Sequence, residues 1–187
     1  MTAKDSFESS TMIDAAAMQV LFAFLDAGAI KTWWKAHNAV VQPRPGGLFV
    51  VEWQPGAHGR DEVLGQTGGV LAGVLDKSMG GHFVYFGALH WLTPDGEVFG
   101  PTRLEIDVFS KNDPRAKPTL LRVRGSGFQA GPRWERYRDL AASWWEVALG
   151  DLKSYCEAQA SAGVEAAVAD LGGAYLQEAA LQNRRIS

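Results

Sequence analysis

A chain of 187 residues with 47% hydrophobic and 21% charged side chains carries enough apolar surface for a core and too little charge for a disordered polymer. Its net charge of −3 and scattered basic residues exclude the electrostatic footprint that nucleic acid or an anionic membrane requires. Seven Trp and nine Phe point to an aromatic-rich core, an aromatic-lined pocket, or both.

In chain order, Phe7 to Ile13 reads as a strand ending in β-branched residues, and Asp14 stands where a helix cap belongs. Met18, Leu21, Phe22 and Leu25 then recur at helical spacing, with Gly28 placed to end the helix. A second short helix carries Ile30, Trp33 and Trp34. The Pro43-Arg44-Pro45-Gly46-Gly47 loop feeds a strand over Leu48 to Trp53. Pro55 to Asp61 reads as a hairpin connection, and Val63 to Leu75 as a long strand bent by glycines, turned by Ser78, Gly80 and Gly81.

His82 to Leu92 is the most aromatic strand, and its large residues fall on both parities, so periodicity does not choose its inner face. From Thr102 to Ser110 the pattern is clean: Leu104, Ile106 and Val108 alternate with Arg103, Glu105 and Asp107. Thr119 to Gly127 repeats it, with Leu121 and Val123 opposed to Arg122 and Arg124. Helical period returns from Trp134 to Glu157, where Trp145, Leu149, Leu152 and Cys156 share one stripe.

This order predicts an α+β domain over residues 1–159, a curved antiparallel sheet of about six strands whose dry face is covered by the long C-terminal helix. Residues 160–187 read as a helical extension that packs on the domain's own surface or on a second copy in a homodimer. The N-terminus lacks a signal-peptide pattern and no apolar run reaches the ~20 residues of a membrane span, so the cytoplasm is expected.

Three local patterns resemble the START-like (SRPBCC) superfamily, in the group related to the C-terminal domain of the Hsp90 ATPase activator and to polyketide cyclase-like proteins. They are Trp33-Trp34 closing the early helices, the Pro43 to Gly47 loop followed by Leu48-Phe49, and Trp145 with Leu149, Leu152, Lys153 and Tyr155 on the last helix. The resemblance covers about residues 7 to 157 and implies a helix-grip fold with a cavity between sheet and helix. Trp144, where the family has a small residue, and the tail after residue 157 depart from it.

Catalytic signatures are missing from the sequence. His37, His58, His82 and His90 have no short spacing to Cys, Asp or Glu that would make a zinc site, and Cys156 has no neighbouring base. The glycines from Gly65 to Gly73 fail the dinucleotide pattern because a strand continues after them. No cofactor is expected. The aromatic set carries the functional expectation: Trp53, Tyr85, Trp91, Trp134, Tyr137 and Trp145 are the candidate contacts for a small apolar or aromatic molecule, with Tyr85 and Trp134 offering polar tips. A cyclase- or hydratase-like enzyme is one alternative and needs an inward pair such as His90 with Tyr85. A co-chaperone-like interaction module is the other, and needs an exposed apolar patch.

Overall fold

A strand that alternates apolar and charged side chains can bury only one face, and two such strands in the second half of the chain commit the sheet to a dry side and a wet side. The computed structural model describes residues 5–79, 83–110 and 115–162. Its elements are strand β1 (Ser6–Ile13), helices α1 (Ala17–Phe22) and α2 (Ala27–Trp33), and strands β2 (Asn38–Val41) and β3 (Gly47–Trp53). The two-residue strands β4 (Arg60–Asp61) and β5 (Gly65–Gln66) follow, then β6 (Gly69–Met79), β7 (Phe83–Leu92), β8 (Val98–Phe109), β9 (Thr119–Ser126) and helix α3 (Pro132–Ser161). Residues 163–187, His82 and the expected turn at Gly80 and Gly81 lie outside the described residues.

Seven strands form one antiparallel sheet in the order β1-β9-β8-β7-β6-β3-β2, while β4 and β5 form a separate small hairpin. The expected count of about six missed β2, four residues that pair with β3 from Asn38↔Glu52 to Val41↔Phe49. The long strand expected from Val63 begins instead at Gly69 and runs through Ser78, because residues 60–66 fold into the small hairpin.

The two parities of β7 have a local cause. Val84 and Phe86 are buried, then Leu89 and Trp91, so the inward face changes between Phe86 and Leu89. The register against β8 shifts there, and Ala88 adopts φ 47°, a left-handed conformation that fits a bulge. On the neighbouring strand Gly73 leaves room for it: a Cβ there would lie 2.7 Å from Leu89 Cδ2 and 2.8 Å from the Gly87 carbonyl.

The first helical stretch differs from its expected form. Ala16, not Asp14, occupies the cap position of α1, and the Asp14 N–H donates to Glu157 Oε1 at 2.9 Å. Asp26 accepts the Ala29 N–H at 2.6 Å and starts a new helix, which places Gly28 inside α2 rather than at a helix end. Of the four expected apolar positions Leu21 and Leu25 are buried, Met18 and Phe22 are only half-buried, and Val20 and Phe24 reach the core in place of the latter two.

Helix α3 lays its stripe across the dry face. Trp145, Ala148, Leu149, Leu152 and Cys156 join Leu104, Ile106, Val108, Leu121 and Val123 in one buried cluster. On the wet face Arg122 Nη2 donates to Asp107 Oδ2 at 2.6 Å, and Arg124 pairs with Glu105. Leu152 is fully buried at the centre of this seam. Leu152→Ala is expected to cost about 2–5 kcal/mol in a denaturant titration, through lost transfer energy and a residual cavity. A cost under ~1 kcal/mol would show that helix and sheet are not packed there.

Candidate ligand-binding cavity

At its N-terminal half α3 presents rings instead of aliphatic side chains, and the layers do not close. Tyr137, Ala141, Trp144 and Trp145 of α3 face Leu71 of β6, Trp91 of β7, Trp53 at the end of β3 and Trp34 just after α2. Gly68 and His58 complete a chamber of about 60 Å³. A wider vestibule of about 330 Å³ lies outside it, bordered by Lys35, Ala57, Val147, Ala148 and Asp151. Trp34, His58 and Trp144 border both spaces and form the partition between them.

The rings meet at varied angles, from the stacked pair of Trp91 and Tyr137 at 25° to edge-on pairs. Trp34 meets Trp53 edge-on at 5.0 Å and 81°, and Trp91 meets Trp144 at 5.3 Å and 78°. Such pairs are favourable in themselves. The Trp53 N–H donates to the Trp34 carbonyl at 3.0 Å, and the Trp91 N–H to the Gly68 carbonyl at 2.7 Å. Tyr137 hydrogen-bonds Thr102, whose hydroxyl donates to the Leu89 carbonyl at 3.3 Å. Burial pushes the Tyr137 phenol well above its ordinary range, so it stays neutral.

The segment from residue 54 to 68 forms a lid over the chamber. Its base is fixed by charge. Arg136 donates through Nε and Nη2 to Asp61 Oδ2 at 2.8 and 2.6 Å, while Asp61 Oδ1 accepts the Val63 and Leu64 N–H groups, both at 2.9 Å. Arg133 pairs with Glu97 and donates to the Val63 carbonyl. Leu64 is buried beneath, in a cluster with Trp91, Phe99 and Tyr137. The tip of the lid is held differently: the His58 ring lies 5.5 Å from Trp53 and 5.5 Å from Trp144. Although the residue as a whole is exposed, contact with these rings removes water from the imidazole and lowers its pKa.

Of the six residues expected to touch a ligand, Trp53, Trp91, Tyr137 and Trp145 surround the chamber. Trp134 does not line it; it packs edge-on against Phe99 at 5.2 Å and 81°, behind Tyr137. Tyr85 lies on the other face of the sheet, between the buried Val84 and Phe86, with its ring beside Phe83. His90 is exposed on that same outer side, so the inward pair of His90 and Tyr85 required by the enzyme alternative does not form. Cys156 is fully buried and its thiol is pushed up to about 12, which makes it a core residue. Sequence reasoning did not select Trp34, His58 and Trp144 as contacts, although Trp34 and Trp144 both stood out in the motif comparison. Among the described residues no group of three or more His, Cys, Asp or Glu is placed to hold a metal ion.

No protein-family model matches this chain, and its sequence finds no significant match among curated proteins. Solved structures do match its fold. They include the Aha1 dimer from Colwellia psychrerythraea, at 14% identity and TM-score 0.57 over 81% of this chain and 96% of that one. An HSP90 activator from Plasmodium falciparum matches at 14% identity and TM-score 0.56, covering 80% and 94%. DynU16, from the dynemicin biosynthetic locus, matches at 16% identity and TM-score 0.60, covering 82% of this chain and 47% of its own. The architecture, a large antiparallel sheet with a long C-terminal helix against it, is a helix-grip fold shared with these structures. No helix among the described residues is long and apolar enough to cross a membrane.

The lid anchor gives a pH signature. The Arg136 guanidinium holds the Asp61 carboxyl down at about 2, and its side chain is only 5% exposed. Because an unfolded Asp titrates near ~3.9, the stabilisation is complete above that value and is lost as pH falls through about 2. Melting temperature measured from about pH 5 down to pH 2 should fall less steeply in Asp61→Asn than in the parent protein. Parallel curves would show that Asp61 is not held in its ionised form.

Proposed function

We propose that this protein is a binding module that holds a small flat apolar or aromatic molecule between the sheet and α3, under the lid. The observation that supports it is a chamber walled by indole and phenol rings, with Trp53, Trp91 and Tyr137 already hydrogen-bonded within the protein. A lining of this kind favours an apolar guest and offers little that favours bulk water. At about 60 Å³ the chamber is smaller than the ~150 Å³ cavity that accepts benzene, so a bound ring spans the partition and displaces His58 towards the vestibule. The reading calls for no cofactor, and it places the protein in the cytoplasm as a monomer or a homodimer.

Catalysis of the cyclase or hydratase kind has weaker support. Tyr137 and His58 are the titratable side chains at the chamber, the first held neutral by burial and the second lowered by contact with rings. A protein-interaction role has one observation in its favour. Met12, Leu120 and Phe109 stand opposite one another across β1, β9 and β8, all exposed on the outer face.

Ala141 faces the chamber from α3 and is small, so Ala141→Phe should fill the space without touching the outer face. Toluene or indole at ~100 times its dissociation constant would add about 2.7 kcal/mol to stability, visible as a rise in melting temperature. That rise is expected in the parent protein and should be absent in Ala141→Phe. An equal rise in both would place the binding elsewhere.

A further inference from the structure

The chamber is selective in its hydrogen-bonding groups. Trp34 and Trp145 both border it and are only 8% and 6% exposed. Unlike Trp53 and Trp91, neither indole N–H has an acceptor among the described residues. Neither is sealed in, because the enclosed side-chain polar atoms without a partner among the described residues are Gln19 Oε1 and Ser110 Oγ. Neither N–H is therefore fully enclosed; Trp145 lines the chamber and not the vestibule, and Trp34 lines both.

Acceptors are scarce at the same wall. The Trp34 and Gly68 carbonyls already take the Trp53 and Trp91 N–H groups, and Tyr137 is hydrogen-bonded to Thr102. Among the described residues no full positive charge lines the chamber: Lys35 stands in the vestibule and is paired with Asp151 at 2.7 Å. An indole N–H is a donor only, and a guest that displaces water from it without accepting its hydrogen bond leaves the donor unpaired, a cost that a guest carrying an acceptor avoids. A carboxylate guest would lose its hydration without gaining a cation.

We infer that the guest of this site is an uncharged aromatic carbonyl compound, a flat ring whose oxygen accepts hydrogen bonds from Trp34 and Trp145. The inference rests on the binding-module reading and narrows it from apolar molecules in general to those that carry an acceptor and no charge. The competing account is that water satisfies both donors and the guest is a plain hydrocarbon.

Three probes of similar ring size separate these accounts by calorimetric titration: acetophenone, ethylbenzene and benzoate. At roughly 1 kcal/mol net for each hydrogen bond, acetophenone should bind about five- to thirtyfold more tightly than ethylbenzene, and benzoate more weakly than acetophenone. Trp34→Phe and Trp145→Phe keep a ring in place and remove one donor each. Each should weaken acetophenone about fivefold and leave ethylbenzene nearly unchanged. In parent protein labelled with ¹⁵N-tryptophan, two indole N–H signals should move downfield with acetophenone and not with ethylbenzene, a readout that needs no variant to fold. Equal affinity for acetophenone and ethylbenzene, tight benzoate binding, or an unchanged preference in both variants would overturn the inference while leaving the binding module intact. If none of the three binds, the binding-module reading falls and this one falls with it.

Discussion

Everything distinctive in this molecule depends on one helix packing against a sheet with two kinds of side chain along its length. The C-terminal half of α3 sets Ala148, Leu149, Leu152 and Cys156 against Ile106, Val108, Leu121 and Val123, small and branched groups that interdigitate to interior density. Its N-terminal half sets Tyr137, Trp144 and Trp145 against Trp34, Trp53 and Trp91, rigid rings that meet stacked, tilted and edge to face. The tight half holds the helix in place. The ringed half is thereby kept from collapsing, and the unfilled volume becomes the chamber.

Two backbone devices bring the rings to that place. The bulge at Gly87 and Ala88 reverses the inward parity of β7, so Phe86 joins the larger buried cluster with Phe49 and Leu152, and Trp91 the smaller one with Phe99 and Tyr137. Asp26 begins α2 anew, which brings Trp33 and Trp34 together as a stacked pair 4.9 Å apart. The Trp33 N–H then donates to the Ala23 carbonyl at 2.9 Å, fixing the pair so that Trp34 presents its other side to Trp145, 4.8 Å away. The lid adds a contrast between its ends: a charge-anchored base at Asp61 and a tip at His58 held by ring contacts and by the backbone hydrogen bonds of its turn.

Regular periodicity made much of this legible beforehand. Strands β8 and β9 and the stripe from Trp145 to Cys156 follow simple alternation, and their inner faces are as their patterns predict. Tyr85 and Trp91 share a parity in sequence, yet the bulge between them sends one outward and the other inward, and no count along the chain anticipates that. Trp134 lies three residues before Tyr137 on the same helix, where only the position of Phe99 decides that it lies behind the chamber. His58 sits in a turn without periodicity, held over the rings by the Thr67 hydroxyl donating to the Gly59 carbonyl at 2.7 Å and by the Gly56 N–H donating to Thr67 at 2.6 Å. Its role follows from a fold of the lid that composition alone does not encode.

The proposed guest lies in the space between Trp53, Trp91 and Trp145, and a heavy-atom probe reports its position. A crystal of the protein soaked in bromobenzene would be read at the bromine edge, where anomalous scattering marks the ring. The account predicts a bromine peak inside the chamber, with His58 displaced towards the vestibule. A peak only on the outer sheet face over Phe109, or no ordered bromine in the chamber at saturating probe, would contradict it.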